Sequence, residues 1–250
     1  MRTVAILPVK SFGRAKQRLS GGFPDRPGLA AAMVADVLDA LGLVEGLSEV
    51  FVVTAAPVEA RPGVVVVHDP AEAGQSAAAE LGIAAAVERG AERVLLVPGD
   101  CPALDPDEVA ALLATNPGSL PIAAEPATGP AATGSLPATA EPATGPAATA
   151  AVGAHADAGV VIVPDRHGTG TNALLLSPPT IMAPAFGEGS FARHTALARA
   201  AGVSPRVAEV RSLGLDVDTP EDLAALRRAL AAWPRGAVRT RALLGEAAVA

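Results

Sequence analysis

Four cations crowd the stretch LPVKSFGRAKQRLS: Lys10, Arg14, Lys16 and Arg18 fall within nine positions. The chain has 19 basic residues, and Lys10 and Lys16 are its only lysines. A lysine ammonium is a compact point charge suited to polyphosphate oxygens. A solvated basic loop is the plainer account of such a cluster. Against it, the chain carries a formal net charge of −7. A basic loop on that background is better explained by a bound polyphosphate. Neither GxxxxGK[ST] nor GxGxxG is present here, so this is not a Walker loop or a dinucleotide fingerprint.

Acidic residues supply the second half of a phosphate chemistry. VLLVPGDCPAL sets Asp100 just beyond an apolar run, in a Pro-Gly turn. An acid there suits a magnesium ion bridging phosphates, or it satisfies turn amides. LDVDTPEDL sets Asp216 and Asp218 two apart, on one face of an extended chain. Two such carboxylates repel unless a cation lies between them. Thr219 is a good N-cap for a helix starting at Pro220, and Thr219 to Asp222 resembles a capping box. Glu221 and Asp222 are therefore read as helix-end charges outside the site.

Two glycine-containing turns, GTGTN (168–172) and FGEGS (186–190), expose backbone amides that can cradle an anion. Ser190 and Arg193 open a helix, another anion-favouring place. Either turn alone is weak evidence, since most glycine turns are only turns. His167 and His194 sit near these turns and could line a pocket. Cys101 reads as a small packed residue, with no base beside it. No Ser-His-Asp or Cys-His set is visible.

The elements that must position these groups alternate along the chain. Val4–Leu7, Val50–Thr54, Val64–His68, Arg93–Val97 and Gly159–Pro164 read as strands. Gly28–Leu43 and Ser76–Arg89 read as helices, and Asp105-Pro106 opens another with a cap and a first-turn proline. Arg206–Arg211 is a candidate strand, DRHGTGTNALLL a loop, and LDVDTPEDLAALRRAL a strand, a sharp turn and a helix. Continuous Val/Leu strands separated by helices imply a parallel sheet covered on both faces. Such sheets bind ligands at the carboxyl ends of their strands.

Residues 118–133 and 134–149 are a tandem 16-residue duplication with two mismatches, rich in Pro, Ala, Thr and Gly. That composition cannot bury a core and reads as a disordered insert. The expected organisation is one domain from 1–117 and 151–233, an insert over 118–150, and a tail over 234–250.

Composition excludes several classes. Half of the 250 residues are hydrophobic, yet there are only five Phe, one Trp and no Tyr, so the core must be aliphatic. No apolar run approaches the roughly 20 residues of a membrane helix, and no signal peptide is evident. One cysteine forbids an internal disulfide, and four scattered histidines give no zinc spacing. A soluble, cytoplasmic protein is expected. The acidic balance argues against nucleic acid.

LPVKSFGRAKQRLS, LLVPGDCPAL, VPDRHGTGTNALLL, FGEGSFARH and LDVDTPEDL, in this order, resemble the phosphoenolpyruvate / 2-phospho-L-lactate guanylyltransferases of deazaflavin coenzyme F-420 biosynthesis, the CofC/FbiD family. The resemblance covers about residues 1–231 apart from the insert. It implies a single-domain α/β nucleotidyltransferase fold, Rossmann-like of the GT-A type. It also implies a Mg²⁺-dependent transfer from GTP to a phosphorylated three-carbon acid, the product passing to the next transferase of the pathway. By similarity, Asp100, Asp216 and Asp218 hold the metal. Thr171, Gly187 and Ser190 hold the acid's carboxylate and phosphate. Lys10, Lys16 and Arg18 fall in the nucleotide loop, with Lys10, Lys16 and Asp100 read as catalytic. Gly74, Gln75 and Ser76 lie near the base, a looser match because relatives often carry a GLNAA-like sequence there. A homodimer is compatible with the sequence. A molybdenum-cofactor or sugar-phosphate nucleotidyltransferase would share the GD and DVD elements. A GTP-binding regulatory module would bind without releasing pyrophosphate. The Ala- and Arg-heavy composition favours a bacterial member and hence phosphoenolpyruvate.

Overall fold

Aliphatic side chains on successive strand residues point to opposite faces, and here both faces are buried. In a computed structural model, β1 (Thr3–Pro8) sends Ala5 and Leu7 to one side and Val4 and Ile6 to the other, all without exposure. The structure describes residues 1–10, 23, 25–56, 58, 61–115, 119–123, 158–233 and 235–245. The further strands are β2 (Glu49–Thr54), β3 (Val64–His68), β4 (Arg93–Leu96), β5 (Gly159–Pro164), β6 (Thr171–Ser177) and β7 (Arg206–Val207). They form one seven-stranded sheet in the order β3-β2-β1-β4-β6-β5-β7. β3, β2, β1 and β4 run parallel, while β6 is antiparallel to both β4 and β5.

Helices cover both faces, as continuous apolar strands require. On one side α1 (Arg26–Leu41) and α3 (Pro106–Ala114) bury Val37, Leu38, Leu41, Val109 and Leu112 against the sheet. On the other lie α2 (Gln75–Glu88) and α4 (Ser190–Ala200). Gly82 lets α2 lie close to the sheet: a Cβ there would meet Ile6 Cγ2 at 2.4 Å and Val53 Cγ2 at 2.9 Å. α5 (Pro220–Ala232) begins with the expected capping box of Thr219 and Asp222.

Several expectations are corrected. The segment read as a loop after the GTGT turn continues as β6, in the middle of the sheet. Its Leu174–Leu176 run pairs with β4 and β5 and is buried on both faces. The Arg206–Arg211 strand shortens to two residues, and Leu215–Asp218 is irregular chain rather than strand. VVVV of β3 is an edge strand, with Val66 48% exposed, so covering both faces does not extend to it. The start of the duplication is ordered: Ile122 bridges to Arg206, Ala123 N–H donates to Pro205 O at 2.8 Å, and Val207 N–H donates to Pro121 O at 2.9 Å. The rest of the expected insert lies outside the described residues.

The expected tail contains α6 (Val238–Leu244), which packs Leu244 with Leu29, Met33, Leu226 and Leu230 in a third apolar cluster. Its N-cap position, Ala237, has no side-chain acceptor, and Asp36 of α1 takes that role across the chain. The Asp36 carboxylate accepts from Arg239 N–H at 3.1 Å and Thr240 N–H at 2.8 Å. Buried Arg241 then donates to Leu230 O at 2.9 Å and Gly236 O at 3.0 Å, closing the end of α5. Asp36→Ala should strand the buried Thr240 amide and the part-buried Arg239 amide and cost about 1–2 kcal/mol. Chemical denaturation measures this; unchanged stability would mean that α6 contributes nothing to the fold.

Candidate active site

Three parallel strands deliver their carboxyl ends to one edge, and a cleft of about 270 Å³ opens there. After β1 it is lined by Pro8, Val9 and Lys10; after β4 by Pro98, Gly99 and Asp100. From β3 and the start of α2 come Asp69, Glu72, Gly74 and Gln75, and Asp218 reaches in from the segment before α5. Lys16 and Arg18 lie outside the described residues. Lys10 is exposed in this cleft.

The antiparallel β6 brings a second set of residues to the same edge. Leu174 pairs with Leu96, so the chain just before it, Thr171 and Asn172, flanks the turn that carries Asp100. Asn172 donates through Nδ2 to Leu213 O at 2.8 Å and to Asp216 Oδ1 at 3.2 Å. Val217 N–H donates to Asp100 O at 3.2 Å, stitching the DVD segment to the GD turn. Burial pushes the Asp216 carboxyl above its ordinary value, and the nearby Asp100 charge pushes it further. The Asn172 hydrogen bond opposes this, and Asp218 adds to it. The three sequence-predicted acids thus share one electrostatic environment. Among the described residues, no three His, Cys, Asp or Glu side chains converge closely enough to chelate a metal unaided.

Asp222, read from sequence as a helix-end charge, does more. Its Oδ2 accepts from the Asp218 and Thr219 amides at 3.1 and 2.8 Å, and from Thr219 Oγ1 at 2.8 Å. Its other oxygen pairs with Arg166 at 2.5 Å. Burial works to raise this carboxyl, but the Thr219 hydroxyl, the two amides and Arg166 outweigh it and hold it below the usual range. Asp222 therefore locks the backbone of Asp218 and ties it to the loop after β5. In that loop Asp165 accepts from the His167, Thr169 and Gly170 amides at 3.1, 3.0 and 2.9 Å. His167 is exposed and its Nε2 accepts from Arg166 Nε at 3.0 Å.

Thr171, Gly187 and Ser190 are gathered at the first turn of α4. Thr171 N–H donates to Ser190 Oγ at 2.9 Å, and Ser190 N–H to Gly187 O at 3.0 Å. Gly187 (φ +108°) and Gly189 (φ +69°) take backbone conformations that L side chains rarely adopt. Arg193 ties the turn by donating to the carbonyls of Ala185 at 3.2 Å, Phe186 at 3.1 Å and Glu188. Ser76 accepts from Phe186 N–H at 2.9 Å, so its hydroxyl supports this turn, whereas Gly74 and Gln75 line the cleft. Cys101 is buried, its thiol 3.5 Å from Leu213 O, as a packed residue should be. No described helix is long and apolar enough to cross a membrane.

Comparison with known proteins follows the same lines. Residues 149–227 match the family described as "Guanylyl transferase CofC like", and residues 29–173 match a "MobA-like NTP transferase domain". A phosphoenolpyruvate guanylyltransferase of Conexibacter woesei is 44% identical over 98% of this chain and 96% of its own length. One from Sphaerobacter thermophilus is 33% identical, over 89% of this chain and 91% of its own. A 3-phospho-D-glycerate guanylyltransferase of Phenylobacterium zucineum is 34% identical, over 90% and 89%. Among solved structures, a nucleotide-diphospho-sugar transferase of Desulfovibrio desulfuricans G20 superposes with a TM-score of 0.65 at 16% identity, covering 98% of this chain and 95% of that one. A CMP:2-keto-3-deoxy-manno-octonic acid synthetase gives 0.54 at 15% identity, covering 93% and 99%. These two share the fold. The near full-length identity goes further: the chain belongs to the CofC-like guanylyltransferase family.

Proposed function

We propose that the chain transfers the guanylyl group of GTP to the phosphate of phosphoenolpyruvate and releases pyrophosphate. One observation supports the reading most directly: a single cleft is lined by Lys10, Asp100 and Asp218, and the charges of Asp100 and Asp218 add to burial in raising Asp216. A cation is what such a set of carboxylates lacks. Relatives named for phosphoenolpyruvate and for 3-phosphoglycerate support a small phosphorylated acid as acceptor, and the 44% identical one favours phosphoenolpyruvate.

In the reaction, an acceptor phosphate oxygen attacks the α-phosphorus of GTP in line. The bond from that phosphorus to the bridging oxygen breaks, and its electron pair leaves with pyrophosphate. The acceptor oxygen is already ionised, so no general base is needed. Catalysis is then positioning and charge neutralisation. Asp100, Asp216 and Asp218 fit Mg²⁺, an ion that keeps several waters and takes few carboxylates alongside substrate phosphates. When bound there, Mg²⁺ supplies charge screening between acceptor and triphosphate. Asn172 holds the Asp216 carboxylate, and Asp222 fixes the backbone amide of Asp218. Lys10, with Lys16 and Arg18 from the same basic stretch of sequence, stabilises charge on the leaving pyrophosphate. Gly74 and Gln75 face the base. Thr171, Gly187 and Ser190 hold the acid's carboxylate and phosphate. The product, a guanosine diphospho-conjugate, keeps an activated anhydride for the next transferase of F-420 biosynthesis.

Pyrophosphate release from GTP should require an acceptor and proceed fastest with phosphoenolpyruvate, more slowly with 2-phospho-L-lactate and 3-phosphoglycerate. Turnover with hexose phosphates alone would overturn the acceptor assignment, and GTP binding without pyrophosphate release would overturn the enzyme reading. Asp100→Asn should keep the melting temperature yet lower kcat/KM by about 10²–10³-fold, the scale of a lost transition-state charge contact. Normal turnover of that variant with Mg²⁺ would sink the metal assignment. Lys10→Ala should raise the KM for GTP by about tenfold, while Arg228→Ala on the exposed side of α5 leaves it unchanged.

A further inference from the structure

Buried within the α4 turn is a histidine that the reaction does not use directly. His194 lies one helical turn after Ser190, on the same face of α4, and neither is exposed to any extent that solvent could exploit. Its Nε2 is 2.8 Å from Ala185 N and its Nδ1 is 2.9 Å from Thr171 Oγ1. A backbone amide can only donate, so Nε2 must be unprotonated. A neutral ring then carries its hydrogen on Nδ1, and Thr171 Oγ1 is obliged to accept it. The Thr171 hydroxyl hydrogen is thereby turned away from the ring. Ser190 Oγ is in the same state: it already accepts from Thr171 N–H, so its own hydrogen is left to donate. No acceptor for the Thr171 hydrogen is placed among the described residues.

We propose that His194 is a positioning residue for the acceptor: as the Nδ1–H tautomer it fixes the Thr171 hydroxyl as a donor toward an anionic oxygen of the bound acid. This rests on the reading of Thr171 and Ser190 as acceptor-binding residues. Two hydroxyls whose hydrogens are left to donate are complementary to a carboxylate or phosphate, whereas freely rotating hydroxyls must be ordered on binding. Several contacts hold the ring in this state. Phe186 packs edge-on against it, with centroids 5.1 Å apart and planes at 77°. Phe186 is itself anchored by its amide on Ser76 Oγ. Burial, aided by the neighbouring Arg193 charge, lowers the His194 pKa to about 4, so the ring is neutral at neutral pH.

Two conservative variants separate positioning from support. His194→Asn keeps a donor near the Nδ1 position but loses the acceptor for Ala185. His194→Gln keeps an acceptor near Nε2 but loses the donor to Thr171. The expected result is a KM for phosphoenolpyruvate raised about tenfold in His194→Gln and near wild type in His194→Asn, with the KM for GTP unchanged in both. Combining His194→Gln with Thr171→Val should add nothing to the effect of Thr171→Val alone. A normal phosphoenolpyruvate KM in His194→Gln, or additive effects in the double variant, would overturn the proposal. If Thr171→Val itself leaves that KM unchanged, the acceptor-site reading fails instead. Nitrogen-15 NMR of the wild-type imidazole tests the same point without any variant: an Nε2–H tautomer would also overturn it.

Discussion

The antiparallel pairing of β6 with β4 is the constraint on which the rest of the site depends. In an all-parallel sheet, the start of every strand lies at the edge opposite the ligand crevice. Reversing β6 places its first residues beside the turn that follows β4, with Leu174 registered against Leu96. Thr171 and Asn172 therefore arrive next to Asp100 as a consequence of strand direction. Adjacent residues on a strand face opposite ways, and these two divide accordingly. Asn172 reaches the Asp216 carboxylate, while Thr171 reaches His194 and Ser190 on α4. One strand end thus supports both halves of the proposed chemistry, the metal acids and the acceptor turn.

Asp216 and Asp222 show how environment assigns different work to the same side chain. Burial opposes ionisation of each. Asp222 is surrounded by donors, namely the Thr219 hydroxyl, two amides and Arg166, so its charge is satisfied within the protein. Asp216 has Asn172 on one oxygen and is pushed upward by Asp100 and Asp218. A satisfied carboxylate is a structural clamp; one raised by like charges is a place where a cation gains most. The clamp fixes the Asp218 backbone, so the two carboxylates act in series along one short segment. The same contrast resolves the charge of the chain. A net −7 is no obstacle to a polyanionic ligand if the acids at the site are those that a cation would bridge and Lys10 lines the same cleft.

Much of this was legible in the sequence, and the exceptions share a cause. Strands β1 to β5 and the capped starts of α3 and α5 are written in local patterns: apolar runs, Asp-Pro, and Thr-Pro-Glu-Asp. The GD turn, the DVD pair and the FGEGS turn carry their own signals. β6 does not, because GTGTNALLL opens as a glycine turn and its leucine run has no period that separates strand from loop. Its partners lie on β4 and β5, and the β4 pairing is distant in the chain. α6 was missed for a similar reason. Its cap is Asp36, some 200 residues away, and short Ala/Arg sequences at a chain end resemble tails. The DVD segment has the composition of a strand, but it is held by single bonds to Asp100 and Asn172 rather than by a ladder. The family resemblance puts Ser76 near the base, as its loosest match. Only the fold reveals that Phe186 comes across to take its hydroxyl. The second role of Asp222 was hidden behind its first, since a capping box fully accounts for an acid at that position until Arg166 is seen beside it.

The third apolar cluster has a functional consequence through α1. Ala30, Met33 and Val34 of this helix line the cleft, and Leu29 and Met33 also pack against Leu223, Leu226 and Leu230 of α5. α5 in turn begins at the capping box that fixes Asp218. The wall of the cleft and the mount of Asp218 are therefore two surfaces of one packed unit. α6, pinned to α1 by Asp36 and to the end of α5 by Arg241, closes that unit on its outer side. Close-packed helices resist relative sliding because any shift opens voids. Positioning carboxylates to catalytic tolerance calls for that kind of rigidity around a site whose charges repel. On this view the C-terminal helix belongs to the site's scaffold even though none of its residues lines the cleft.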